Sequence, residues 1–119
     1  MAQFTRKIEF EAGYTQLMAA LLDAGYNGQQ TCSQLQIINA GESSEPVFLH
    51  LQDDCRDDPG ENGATGDEGI PIGASSETGA ISWAYGQRKP DDERLDLGGA
   101  WIYVETGPVD LIIAVIGAG

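Results

Sequence analysis

The chain has 119 residues, enough for one domain with its own core, and two independently folding domains are not expected. Nineteen acidic residues against six basic ones give a formal charge of −13. That balance excludes a nucleic-acid surface, which needs clustered Lys and Arg, and it argues against an anionic membrane; solubility and mutual repulsion between copies are the first reading, attraction to a cation or a basic partner the second.

Residues 4–10, FTRKIEF, alternate, with Phe4, Ile8 and Phe10 on one face and Arg6 interrupting it. Residues 1–14 are expected to form an N-terminal strand or arm ahead of a single domain at 15–119. Next comes a helix, with Thr15 as N-cap and Gly25 as the C′ residue, and Leu17, Met18, Leu21, Leu22 and Ala24 as its apolar stripe. At about ten residues it is too short to be the core, and it is expected to plug an open end or edge of a sheet structure.

Period-two patterns follow. Leu35 and Ile37 share a face in SQLQIIN, and Val47, Leu49 and Leu51 share one in PVFLHL. With a Gly/Ser turn between them, these two runs are expected to pair as an antiparallel hairpin. Gln52–Gly69 holds seven acidic residues, four glycines and a proline, and reads as a long acidic loop that is either functional or mobile. Short strands are expected at Ile70–Ile72 and Ala80–Tyr85, a second polar loop over Gly86–Arg94, and a closing strand pair over Trp101–Gly119. In that pair Val109, Leu111, Ile113 and Val115 fall on one side and Asp110, Ile112, Ala114 and Ile116 on the other, both faces largely apolar after Asp110, the mark of a central strand. Six or seven short strands, one helix and frequent Gly turns make the expected fold mainly β: an antiparallel β-sandwich or jelly-roll-like barrel with one short α-helix.

The chemistry within reach is narrow. A single histidine, His50, cannot build a multi-histidine metal site, and no GxSxG turn or phosphate loop is present. The chain is not expected to be an enzyme. Cys32 and Cys55 form no CxxC; reduced thiols suit a cytosolic product, and a single bridge between them remains open. The first fourteen residues hold no apolar h-region, so synthesis in the cytoplasm is expected. Asp53, Asp54, Asp57, Asp58 and Glu61 are the candidate ligands for a hard cation, Ca²⁺ before any other. Their spacing does not match an EF-hand, and the first reading is a solvated charged loop with no cofactor. The aromatics Trp83, Tyr85, Trp101 and Tyr103, with Phe4 and Phe10, are candidates for an interface; sugar stacking is the other use for the first four.

The segments LLDAGYNG, QLQIINAGESSEPVFLHL, GIPIGASS and LDLGGAWIYVETGPVDLIIAVIGAG, in this order, resemble the small all-β structural proteins of tailed bacteriophage virions, including head decoration (cement) proteins. Leu35, Ile37, Asn39, Gly41, Pro46, Val47, Leu49, Gly69, Ile70, Pro71, Ile72, Leu95, Leu97, Trp101, Ile102, Tyr103 and Val109 carry the match, which spans residues 15–119. The resemblance implies a non-enzymatic, virion-located protein that binds the outside of a phage head. Its partners would be the major capsid protein and itself, as a homo-oligomer, a trimer before a dimer. A tail, neck or fibre subunit and a carbohydrate-binding β-sandwich are the alternatives.

Overall fold

The computed structural model describes residues 3–39, 47–52, 57–72 and 95–117 in full, and the backbone of 80–84. Among the described residues ten strands follow the chain: β1 (Gln3–Phe10), β2 (Gly13–Gln16), β3 (Thr31–Cys32), β4 (Gln34–Asn39), β5 (Val47–Leu51), β6 (Ile70–Ile72), β7 (Ala80–Ala84), β8 (Leu95–Asp96), β9 (Ala100–Val104) and β10 (Val109–Ile116). The helix α1 (Leu17–Asp23) follows β2.

Eight strands form two four-stranded antiparallel sheets, ordered β1-β10-β4-β7 and β2-β9-β5-β6; β3 and β8 form a small ribbon. Along the chain the eight strands cross between the two sheets at almost every step, and only β5 and β6 are successive partners within one sheet. This is jelly-roll topology. Its inner faces are the alternating apolar positions. Phe4, Phe10, Leu35, Ile37, Leu111, Ile113 and Val115 from one sheet meet Val47, Leu49, Ile72, Ala100, Ile102 and Val104 from the other. β10 is a central strand, flanked by β1 and β4, as its two-sided apolar pattern requires.

Two expected pairings are corrected. β4 and β5 are not a hairpin: β4 pairs with β10 and β7, and β5 with β9 and β6. The closing pair likewise separates, β9 into one sheet and β10 into the other. Alternation fixes which side of a strand is buried but not which strand lies beside it, and in a two-layer fold the apolar faces of successive strands meet across the core. Residues 3–10 are no arm. β1 pairs with β10 over its whole length, from Gln3 opposite Ile116 to Phe10 opposite Val109, and the boundary placed between 14 and 15 runs through β2. Phe4 and Phe10, expected at an interface, are therefore core residues.

The helix begins later than expected. Thr15 lies in β2 opposite Ile102, and Gln16 takes the N-cap position with no side-chain cap bond. Its C-terminus is as the glycine requires. Gly25 has φ +97°, its N–H donates to Leu22 O at 3.1 Å, and the Tyr26 N–H donates to Leu21 O at 2.9 Å, a Schellman closure with Tyr26 and Leu21 both buried. The helix packs on the 3₁₀ turn Leu97–Gly99 and on β9, burying Leu17 and Leu21 and leaving Leu22 outside. A Cβ at Gly25 meets no atom within 4 Å, so Gly25→Ala isolates the backbone strain: it should cost about 1 kcal/mol in denaturant unfolding with no change in m-value.

Candidate functional site

The inner residues of the β2-β9-β5-β6 sheet leave the alternate positions to its outer face: Tyr14 and Gln16 of β2, Trp101 and Tyr103 of β9, Phe48 and His50 of β5. Cross-strand pairing puts Tyr103 between Tyr14 and Phe48, and Trp101 between Gln16 and His50. The Tyr14 and Tyr103 rings lie 4.8 Å apart, and the His50 ring meets Tyr14 edge-on at 5.2 Å. The result is an aromatic platform on the outside of a sandwich.

Residues 57–69, the described part of the acidic loop, fold over this platform. Asp58 opens a 3₁₀ turn at Pro59–Asn62, its Oδ1 accepting from the Gly60 N–H at 2.7 Å, and Pro59 is buried. A second 3₁₀ turn, Gly66–Glu68, starts where the Thr65 N–H donates to Glu68 Oε1 at 2.7 Å. Glycine brings the backbone close: a Cβ at Gly66 would stand 2.1 Å from the Tyr103 ring, and one at Gly69 2.8 Å from His50. His50 Nε2 lies 2.8 Å from Gly66 O and, as donor, ties β5 to the second turn. Gln52 ties the other end, its Nε2 donating to Asp57 O at 2.7 Å and its Oε1 accepting from Asn62 Nδ2 at 3.3 Å.

The loop changes the electrostatics beneath it. Burial first, then the Asp58 carboxylate, with Tyr103, Glu68 and Asp67 adding to it, pushes the Tyr14 hydroxyl above the ordinary tyrosine value. Tyr14 therefore stays neutral through the physiological range. Glu68 is held below the ordinary carboxylate value by the Thr65 N–H, then by the Thr65 hydroxyl at 2.9 Å. A depressed carboxylate stabilises the fold above its unfolded-state value and loses that contribution as pH falls through its folded-state value. Amide exchange of residues 65–68 should therefore accelerate, relative to β10, as the pH is taken below the ordinary glutamate range, and Glu68→Gln should remove that pH dependence.

Beside the platform a cleft of about 340 Å³ is walled by Leu49, Leu51, Pro59 and Ile70, with His50, Gln52 and Glu68 as its polar side chains. Each of the three is already bonded to the loop: His50 to Gly66 O, Gln52 to Asp57 O, Glu68 to Thr65. The cleft is the seam between loop and sheet. His50, the one histidine, serves as a latch to a backbone carbonyl.

Of the predicted site residues, Trp101 and Tyr103 share the platform, half-buried, with Gly66 set against Tyr103. Trp83 lies on β7 opposite Leu35 by register; its side chain, Tyr85, Asp53 and Asp54 are outside the described residues. Asp58 is committed to the Gly60 N–H, and among the described residues no three carboxylate, imidazole or thiol groups converge as a metal site. Tyr14 and Phe48 were not singled out from sequence. The signal was present for Phe48, on the face opposite Val47, Leu49 and Leu51; Tyr14 was hidden by the reading of its segment as the approach to a helix.

No protein-family model matches the chain, and no curated protein matches it. Among solved structures it is similar to a chain of the virus-like particle of the giant freshwater prawn Macrobrachium rosenbergii extra small virus, determined by cryo-EM. The two are 13% identical, the match covers 96% of this chain and 75% of that one, and the TM-score is 0.46. The jelly-roll assignment rests on strand order alone.

Proposed function

We propose that this protein is a non-enzymatic structural component of a virion, and within it a decoration protein that binds the outside of a phage head and stabilises it. The observation that carries this reading is the jelly roll in which the cleft between loop and sheet has each of its three polar side chains already bonded to the protein's own loop. Such a domain offers two broad sheet faces for contact. Jelly rolls recur in capsid proteins, lectin domains and cupins, so topology alone does not choose among them. The segment pattern shared with tailed-phage structural proteins favours the virion. In this reading the major capsid protein is the shell partner and the half-buried Trp101, on the platform, is a contact residue.

The test is co-sedimentation of tag-free protein with empty phage heads assembled from a major capsid protein encoded alongside it. The expected result is saturable binding and heads that withstand higher temperature when decorated. Protein left entirely in the supernatant overturns the assignment to the head. A second reading, a carbohydrate-binding module, is favoured by the half-buried Trp101 beside an acidic loop. It predicts a shift of tryptophan emission on titration with glycans, which the virion reading does not.

A further inference from the structure

The other broad surface is the outer face of the β1-β10-β4-β7 sheet. β10 places Asp110, Ile112, Ala114 and Ile116 on this side, Ala114 being covered by its neighbours; β4 presents Gln34, Gln36 and Ile38, and β1 presents Gln3, Thr5, Lys7 and Glu9. Ile112 pairs directly with Ile38, which is 40% exposed. Ala114 sits between Thr5 and Gln36, and Ile116 between Gln3 and Gln34. Among the described residues of this face, charge is confined to one end, where Lys7 and Asp110 form an ion pair at 3.7 Å next to Glu9. One cation against two carboxylates leaves the described part of this face nearly neutral on a chain of formal charge −13. The opposite face carries Asp57, Asp58, Glu61, Asp67 and Glu68 on its loop.

We infer that this face is where two copies of the chain meet, sheet against sheet about a twofold axis. Self-association of so acidic a chain is opposed by its own field except where charge is sparse. The loops of two copies joined here would be separated by both sandwiches, each with sheets about 10 Å apart, well beyond a Debye length of about 8 Å at physiological salt. A basic partner would be drawn to the loop side, so this face, apolar at its centre and ringed by amides and hydroxyls, suits a copy of itself. An isologous twofold contact is the commonest way for one patch to be self-complementary. Strands of 8, 8, 6 and 5 residues, at about 3.3 Å per residue and about 4.8 Å spacing, give about 430 Å² of sheet per copy. Twice that is below the area of tight standing complexes, so the dimer is reversible. It replaces the trimer expected by analogy, and, being a property of the free protein, it stands or falls apart from the virion reading.

Sedimentation equilibrium of the full chain from about 5 to about 500 µM tests it, at about 0.15 M and about 1 M salt. The weight-average mass should climb from 12.6 kDa towards twice that value, and further at high salt, as screening relieves repulsion. Ile38→Lys and Thr5→Glu replace exposed residues and should keep the far-UV spectrum while raising the midpoint concentration at least about tenfold, a loss equal to about 1.4 kcal/mol. A wild-type chain that stays monomeric throughout, variants that associate as well as wild type, or a closed trimer each overturns the inference. So does a monomeric wild type whose binding to heads is lost in Ile38→Lys, which would give the face to the shell.

Discussion

Ile37→Asp should yield a chain with no cooperative unfolding transition, read as loss of near-UV dichroism and of a thermal midpoint. Ile37 is fully buried on the central strand β4, between Ile113 of β10 and Ile81 of β7. An ionised carboxylate there has no cation opposite it. Neutralising it by protonation still leaves an unpartnered polar group in an apolar layer, at several kcal/mol. Domains of this kind are stable by only about 5–15 kcal/mol, and the lost apolar packing adds to the penalty. Ile37→Ala, which removes the packing alone, should remain folded and lose about 2–5 kcal/mol in denaturant titrations. The equivalent change at Ile113 is a less severe test, because Arg6 of β1 stands opposite it. A folded, cooperatively melting Ile37→Asp would mean that the two sheets are not packed as described.

Gly66→Ala should release the acidic loop from the sheet while leaving the sandwich folded. The added methyl would stand 2.1, 2.3 and 2.4 Å from three atoms of the Tyr103 ring, which is itself flanked by Tyr14 and Phe48. With the ring hemmed in, the turn must lift, and lifting it breaks the His50 bond to Gly66 O. The loss of one buried hydrogen bond and of ring coverage amounts to about 1–3 kcal/mol, a fall of about 4–12 °C in melting temperature. Amide exchange should rise across residues 57–69 and stay unchanged in β1, β4 and β10. Uniform protection in both regions would show that the loop rides on the sheet without depending on this contact.

The longer strands were legible from their apolar faces, whereas β2, β3 and β8, of two to four residues, were not. Ile37, Leu49, Ile102 and Leu111 all fall where alternation puts them. The end of α1 was legible because Gly25 can adopt a left-handed conformation at no steric cost. Its start was not, since Thr15 suits an N-cap and a strand equally, and pairing with Ile102 decided between them. Sheet partnership was hidden for a different reason: short Gly-rich connections look alike whether they join neighbours in one sheet or bridge two layers. How residues 57–69 of the acidic loop dock was not legible. What docks it is Pro59, the close approach of Gly60 and Gly66, and backbone carbonyls, none of which registers as hydrophobic pattern. The platform beneath it was half visible in Trp101 and Tyr103, and became a site only when β2 and β5 brought Tyr14, Phe48 and His50 alongside.

The pairing of β1 with β10 has a consequence for how the protein is made. Residues 3–10 find their partner only in residues 109–116, and β10 is also the bridge to β4. At ribosomal rates of about 5–20 residues per second, the first strand waits for seconds without the strand it pairs with. The strands of the β2-β9-β5-β6 sheet are all made by residue 104, so the β1-β10-β4-β7 sheet is the last to close, after β10 has left the exit tunnel. Wherever copies are produced at high concentration, that interval is when acidic self-repulsion matters most: the net charge that limits association of the finished protein also keeps unfinished chains apart.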